Sequence, residues 1–304
     1  MVSSVGLVLH PTKLVDTSVD TVLEFARRHP LRVLARDTDR DRLPPGVSLV
    51  PPETFVSEAE ALIALGGDGT MLGALRLTVG RPVPVLGVNH GNLGFLVEVA
   101  PAQLSAALSR LEEGDFTIEQ HACLDVGALP IRYGFNDLVL GRAGRAGAIS
   151  VDLTVNGLRY GYYRGDAVIV STPTGSTAYN YAAGGPVLSP SSQAFVITPV
   201  APMAGIGRPV VLGAGDRVTL SVAADSGPIA VDVDGIATGE LAHGERVTAS
   251  LRANAAQVVR LSADEHASRA RIKLSLLDLP LRRDQLVELI PPELRRPHPP
   301  SLGD

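Results

Sequence analysis

Ala61-Leu62-Ile63-Ala64-Leu65-Gly66-Gly67-Asp68-Gly69-Thr70 is the stretch that decides the fold, and the helix-like run from Met71 to Thr78 completes its signal. The apolar run reads as a buried strand, and the glycines straight after it force a sharp turn. Glycines there let the backbone approach a ligand and adopt positive φ without strain. The helix that follows points unpaired N–H groups back at the turn, a ready place for phosphate. A carboxylate such as Asp68 is costly beside phosphate unless it holds a metal ion or takes a proton. Strand, turn, helix and acid together suggest phosphoryl transfer.

Upstream, Val5 to Leu9 reads as a short buried strand and Thr17 to Arg28 as a helix, with Leu31 to Ala35 as a second strand. A proline-rich connection follows (Pro44-Pro45, Pro51-Pro52), and downstream of the turn Val83 to Val88 reads as another strand. Alternating β and α elements with apolar strands imply a parallel, helix-covered sheet. Ligands collect at the carboxyl ends of such strands, where Asp68 lies.

From about residue 118 the pattern becomes two-residue alternation, as in Val151-Asp152-Leu153-Thr154-Val155, and Asn156-Gly157 and Asp234-Gly235 are hairpin dipeptides. The expected class is therefore α/β plus β, with the site between the two parts. Residues 1–117 form an N-terminal α/β domain carrying the turn and 118–270 a β-rich domain. Residues 271–290 pack back on the first domain, and 291–304 are a disordered proline-rich tail.

The 304 residues are 45% apolar and 19% charged, an ordinary globular balance with room for two domains. A net charge of −5 without a dense basic run argues against nucleic acid. No apolar run approaches bilayer length, and no leader is recognisable, so a cytoplasmic protein without a membrane partner is expected. The single Cys123 reads as a small buried hydrophobe in a reducing compartment.

Three further clusters carry chemistry. Ala167 to Val170 is a strand running into Ser171-Thr172-Pro173-Thr174-Gly175-Ser176-Thr177-Ala178-Tyr179, where Thr172, Thr174, Ser176 and Thr177 offer donors and acceptors to sugar or phosphate. Asn136-Asp137 opens an apolar strand with an amide beside a carboxylate, a pair able to bind a ribose diol. Gly87-Val88-Asn89 leads into a glycine-rich loop ending at Phe95, which could stack on a base. No Walker-type phosphate loop is present, the glycines at 141, 144 and 147 have the wrong spacing for a dinucleotide fingerprint, and no His/Cys cluster has zinc spacing.

These motifs, in this order, resemble the NAD kinase family over roughly residues 5–240. The resemblance implies ATP as donor, Mg²⁺ or another divalent metal, and phosphorylation of the 2′-hydroxyl of the adenosine ribose of NAD to give NADP. It implies Asp68 as the catalytic carboxylate, with Gly66, Gly67, Gly69 and Thr70 at the phosphates. Asn89, Phe95, Asn136, Asp137, Asp166, Thr174, Thr177, Ala178 and Tyr179 would line the NAD site, and no residue is assigned to the metal. Homodimers or homotetramers with site residues crossing subunits are also implied. The family's Asn-Glu pair is Asn136-Asp137 here, a usual serine is Ala182, and a usual histidine is Met203. These changes favour weaker or broader acceptor use. Two alternatives stay open: a paralogue phosphorylating another ribose-containing metabolite, and a nucleotide-binding sensor without turnover.

Overall fold

The decisive stretch folds as a strand at Ala61–Gly66 and a helix at Asp68–Thr78. The helix starts three residues earlier than its apolar pattern suggested, so Asp68 is its first residue and Gly67 its N-cap. The computed structural model of the chain describes residues 2–91, 96–144 and 147–262. The expected segments 271–290 and 291–304 lie outside the described residues.

In chain order the first part comprises β1 (Ser4–Leu9), α1 (Asp16–Arg28), β2 (Arg32–Arg36), β3 (Ser48–Val50), α2 (Pro52–Glu58), β4 (Ala61–Gly66), α3 (Asp68–Thr78), β5 (Pro84–Asn89) and α4 (Leu104–Glu113). Its strands pair in parallel in the order β5-β4-β1-β2-β3. Alternate strand residues serve opposite faces. Leu7, Leu9 and Ile63 pack with Val22 and Leu23 of α1 and Leu108 and Leu111 of α4. Val8, Leu62 and Ala64 pack with Phe55 of α2 and Met71 and Leu75 of α3. The proline-rich connection hides two elements: β3 pairs with β2, and Pro52 starts α2, where a missing N–H costs nothing.

The second part comprises β6 (Thr117–Asp125), β7 (Tyr133–Gly134), β8 (Asp137–Arg142), β9 (Ile149–Val155), β10 (Leu158–Gly165), β11 (Ala167–Ser171), α5 (Tyr179–Ala182), β12 (Ala194–Val200), β13 (Ala204–Gly205), β14 (Val210–Gly213), β15 (Arg217–Val222), β16 (Ile229–Val233), β17 (Ile236–Leu241) and β18 (Arg246–Arg260). An antiparallel sheet in the order β14-β12-β11-β8-β16-β17 faces β9, β15 and the first half of β18. Leu138, Leu140, Val168, Val170 and Phe195 from one sheet meet Val151, Leu153, Val218, Leu220 and Val247 from the other. Both hairpin dipeptides form: Asn156 and Gly157 have φ of 51° and 82°, Asp234 and Gly235 of 50° and 73°.

The two parts share one sheet. β18 pairs with β15 through Arg246–Ser250, then continues past a bulge and lies parallel to β5 at Gln257 and Val258. The bulge falls between Arg252 and Ala256, opposite His121 to Cys123 of β6, and includes Asn254 at φ 49°. Two α/β and β architectures are thus joined by hydrogen bonds as well as by side-chain packing.

Candidate active site

The glycine turn at residues 66–70 is built for close packing, not for left-handed backbone. None of Gly66, Gly67 and Gly69 has a positive φ, which corrects the expectation from sequence. A Cβ on Gly66 would sit 2.1 Å from the Thr70 hydroxyl, so glycine is what lets that buried side chain pack beneath the turn. Around Gly67 and Gly69 a Cβ would meet nothing within 4 Å, leaving open space over the start of α3. The first intrahelical bond runs from Met71 N–H to the Gly67 carbonyl, 3.1 Å, so the N–H groups of Gly69 and Thr70 have no helical acceptor. The Thr70 hydroxyl is buried and, among the described residues, has no hydrogen-bond partner.

Asp68 stands at the head of α3, and its Oδ1 accepts the Leu96 N–H at 3.0 Å. Asn89 ends β5 beside the turn, its side-chain oxygen accepting the Gly91 N–H at 2.9 Å. His90 joins it, donating its N–H to the Gly66 carbonyl and contacting the Ser18 hydroxyl through Nε2 at 2.9 Å. Burial first, and Lys13 and His10 after it, depress the pKa of His90. Phe95 lies outside the described residues.

Asn136 and Asp137 enter β8 against the hydroxyl-rich turn. Thr172 N–H donates to the Asn136 carbonyl at 2.9 Å, and a Cβ on Gly175 would lie 2.0 Å from that same oxygen. Only glycine permits this contact, so Gly175→Ala should push the turn off Asn136 and lower the melting temperature. An unchanged melting temperature in a thermal scan would show that the contact yields easily.

The four hydroxyls divide into two roles. Thr172 and Ser176 are buried: Thr172 donates to the Phe135 carbonyl and accepts the Gly175 N–H, and Ser176 donates to the Pro173 carbonyl and accepts the Leu188 N–H. These two hold the turn together, which corrects their reading as ligand groups. Thr174 and Thr177 remain partly exposed, with Ala178 and Tyr179 beyond them at the surface. Asn180, which sequence reasoning passed over, is fully buried and ties Ser176, Pro186 and Thr198 together.

Asp137 is 4% exposed, and no described group donates to its carboxylate. Burial, with Asp234 and Asp232 nearby, pushes its pKa up to about 7. The folded chain therefore keeps this proton up to about pH 7, whereas the unfolded chain releases it near the ordinary aspartate value of 3.8. Unfolding sheds a proton in between, so stability declines as pH rises through that window. Asp137→Asn should flatten this decline and raise the melting temperature at pH 8; parallel pH profiles for the two proteins would contradict the assignment.

Asp234 is the residue the sequence concealed. Its fully buried carboxylate accepts the N–H groups of Phe135, Asn136 and Asp137 at 3.0, 2.6 and 3.1 Å, and it pairs with Arg76 of α3 at 2.7 Å. The helix that opens at Asp68 is thereby bolted to the strand entrance at Asn136-Asp137.

A second link joins the same two regions. The Leu96 carbonyl accepts Arg260 Nη1 at 3.0 Å, and Arg260 Nε donates to Glu119 at 2.5 Å. Glu119 lies 2.9 Å from His121 Nε2, and His121 Nδ1 lies 3.1 Å from the Thr174 hydroxyl. Arg260 and the neighbouring His121 hold the Glu119 carboxyl well below the ordinary carboxylate range against the opposing effect of burial.

Asp166 stands apart. It precedes β11, pairs with Arg142 at 3.3 Å, and lies at the opposite end of that strand from Thr172. Five strand residues span roughly 17 Å, so one chain does not bring Asp166 to Asn136. Met203, 65% exposed, shares that far end, its N–H bonded to the Arg164 carbonyl. Cys123 is buried, its thiol pushed up to about 12 by burial, which matches its reading as a small hydrophobe. Among the described residues, no group of three or more His, Cys, Asp or Glu is arranged to hold a metal ion, and no helix is long and apolar enough to cross a membrane.

Comparison with known proteins identifies the same two regions. Residues 46–116 match the ATP-NAD kinase N-terminal domain and residues 135–261 the ATP-NAD kinase C-terminal domain. An NAD kinase of Sulfurimonas denitrificans is 32% identical over 253 residues, covering 81% of this chain and 88% of that protein. One from Gemmatimonas aurantiaca is 38% identical over 224 residues, covering 71% and 77%. Among solved structures, yeast NADH kinase complexed with NADH superposes with a TM-score of 0.78 at 21% identity, covering 92% of this chain and 89% of that one. At that identity the superposition speaks for the fold alone.

Proposed function

The chain belongs to the ATP-NAD kinase family of phosphotransferases, and from that premise we propose that it transfers the γ-phosphoryl group of ATP to the 2′-hydroxyl of the adenosine ribose of NAD, giving NADP. One arrangement carries the residue-level reading: an acid at a helix start, open space at the adjoining glycines, and two buried links from there to the polar groups around Asn136 and Thr174. Asp68 is the proposed proton acceptor. The Leu96 N–H fixes the rotation of its carboxylate, as a positioned base requires. As the 2′-oxygen bonds to the γ-phosphorus, the bond to the β-phosphate oxygen breaks, ADP leaves, and the hydroxyl proton passes to Asp68.

The N–H groups at Gly67, Gly69 and Thr70 are the proposed seat of the donor phosphates, with Gly66 giving Thr70 its place. The turn offers a lone carboxylate, which suits Mg²⁺ or a similar ion held largely by the phosphates it accompanies. Asp68 would share in holding it, and the ion would neutralise charge on the transferring group.

Asn136 and Asp137 are assigned to the acceptor, together with Asn89, Phe95, Thr174, Thr177, Ala178 and Tyr179. Asn136→Ala should therefore raise the KM for NAD more than that for ATP in steady-state assays. An effect confined to ATP would reverse the two subsites. Ionised Asp137 accepts from both hydroxyls of a diol through two free oxygens, whereas the protonated acid gives up one of them as a donor, so the KM for NAD should fall as pH rises through about 7. The distance of Asp166 from the rest favours a homodimer or homotetramer in which a second copy completes the site. A cytoplasmic enzyme, divided near residue 117 into two domains with the site between them, is part of the same reading.

A further inference from the structure

The family assignment gives no role to the buried histidine of β6. His121 is 4% exposed and sits where β18 bulges and changes neighbours from β15 to β5. Its two ring nitrogens face different parts of the molecule. Nδ1 meets the Thr174 hydroxyl at 3.1 Å, while Nε2 lies 2.9 Å from Glu119. The second contact falls outside hydrogen-bond geometry. A carboxylate beside Nε2 favours the proton on that nitrogen and leaves Nδ1 to engage Thr174. Glu119 is anchored in turn by Arg260, which is itself 5% exposed and bonded to the Leu96 carbonyl. Leu96 also donates its N–H to Asp68.

A hydroxyl on an exposed turn would ordinarily rotate freely. Here a buried imidazole, with Glu119 beside its other nitrogen, holds it. We propose that His121 is a positioning residue for the acceptor: through Nδ1 it fixes the direction of the Thr174 hydroxyl. The inference rests on the reading that Thr174 touches NAD. Its consequence is that discrimination for the acceptor depends on a side chain that never meets it.

Two substitutions separate this role from simple packing. His121→Asn keeps a polar atom near the Nδ1 position and abandons Glu119. His121→Gln reaches toward Glu119 and abandons Thr174. Thr174→Val removes the hydroxyl itself. Steady-state kinetics of the full-length protein, with NAD and ATP varied in turn, should show the KM for NAD raised about 3–10-fold in Thr174→Val, the range of one lost hydrogen bond. The same rise is expected in His121→Gln, with His121→Asn close to wild type and the KM for ATP unchanged throughout. Equal behaviour of the Asn and Gln variants, or a Gln variant with normal KM for NAD, would overturn the positioning role while leaving Thr174 as a contact. A Thr174→Val enzyme with normal KM for NAD would overturn both the contact and the positioning role built on it.

Discussion

Asp68→Asn is expected to lower kcat by about 10²–10⁴-fold, the usual cost of losing a positioned base. The substitution keeps the side chain's shape, and an amide oxygen still accepts the Leu96 N–H that now holds Oδ1. Helix α3 should start at the same residue, because Gly67 caps it without any help from the Asp68 side chain. The loss would therefore fall on kcat, with the melting temperature close to wild type. Phosphate binding should persist or tighten, since a negative charge leaves the vicinity of the donor. A variant with near-normal kcat would remove Asp68 from the chemistry.

Asp234→Asn should have the largest effect on stability. One buried carboxylate there accepts three consecutive backbone N–H groups and a guanidinium. An amide has one oxygen, so at least one N–H and Arg76 lose their acceptor. Breaking a buried ion pair by removing one partner costs about 3–5 kcal/mol, and in a chain of this size each kcal/mol moves the melting temperature by roughly 2–4 °C. A fall on the order of 10 °C is expected. Asparagine, like aspartate, tolerates the φ of 50° at this position, so backbone strain does not contribute. The KM for NAD should rise as well, because the strand entrance holding Asn136 and Asp137 loses its anchor. A melting temperature within a degree or two of wild type would show that water or a neighbour satisfies the three N–H groups.

Local signals carried the reading of this chain a long way, and long-range ones were hidden. The run Ala61 to Leu65, the glycines and the helix were legible because each rests on neighbouring residues, as were the turns at Asn156-Gly157 and Asp234-Gly235. Asp234, however, announced only a hairpin. Its acceptor role joins residues up to 158 positions away, which no periodicity encodes. The same holds for β18, whose alternation marks a strand without naming β15, β6 and β5 as its neighbours. Prolines at 51 and 52 masked α2, because proline at a helix start looks like proline in a loop. Four hydroxyls in six residues were read as ligand groups, yet Thr172 and Ser176 are occupied by the turn's own backbone. His121 carried no signal at all, since a lone histidine on a strand shows neither its burial nor its partners.

Shortening the family's glutamate to Asp137 bears on specificity. A displacement of about one C–C bond can cost roughly 10²-fold in a positioned reaction, so Asp137→Glu should sharpen activity toward NAD. Abolished activity in that variant, with an efficient wild type, would mean that the pocket has closed around the shorter acid.

One product analysis decides whether the protein is an NAD 2′-kinase. Full-length protein incubated with ATP, Mg²⁺ and NAD, with NADH, adenosine and a diacylglycerol in parallel reactions, should form NADP carrying its new phosphate on the adenosine 2′-oxygen. The position is read by phosphorus NMR and the yield by an NADP-specific dehydrogenase, with the Asp68→Asn protein as the blank. No NADP from NAD with either ATP or polyphosphate as donor, or phosphate on a nucleoside in its place, would contradict that activity.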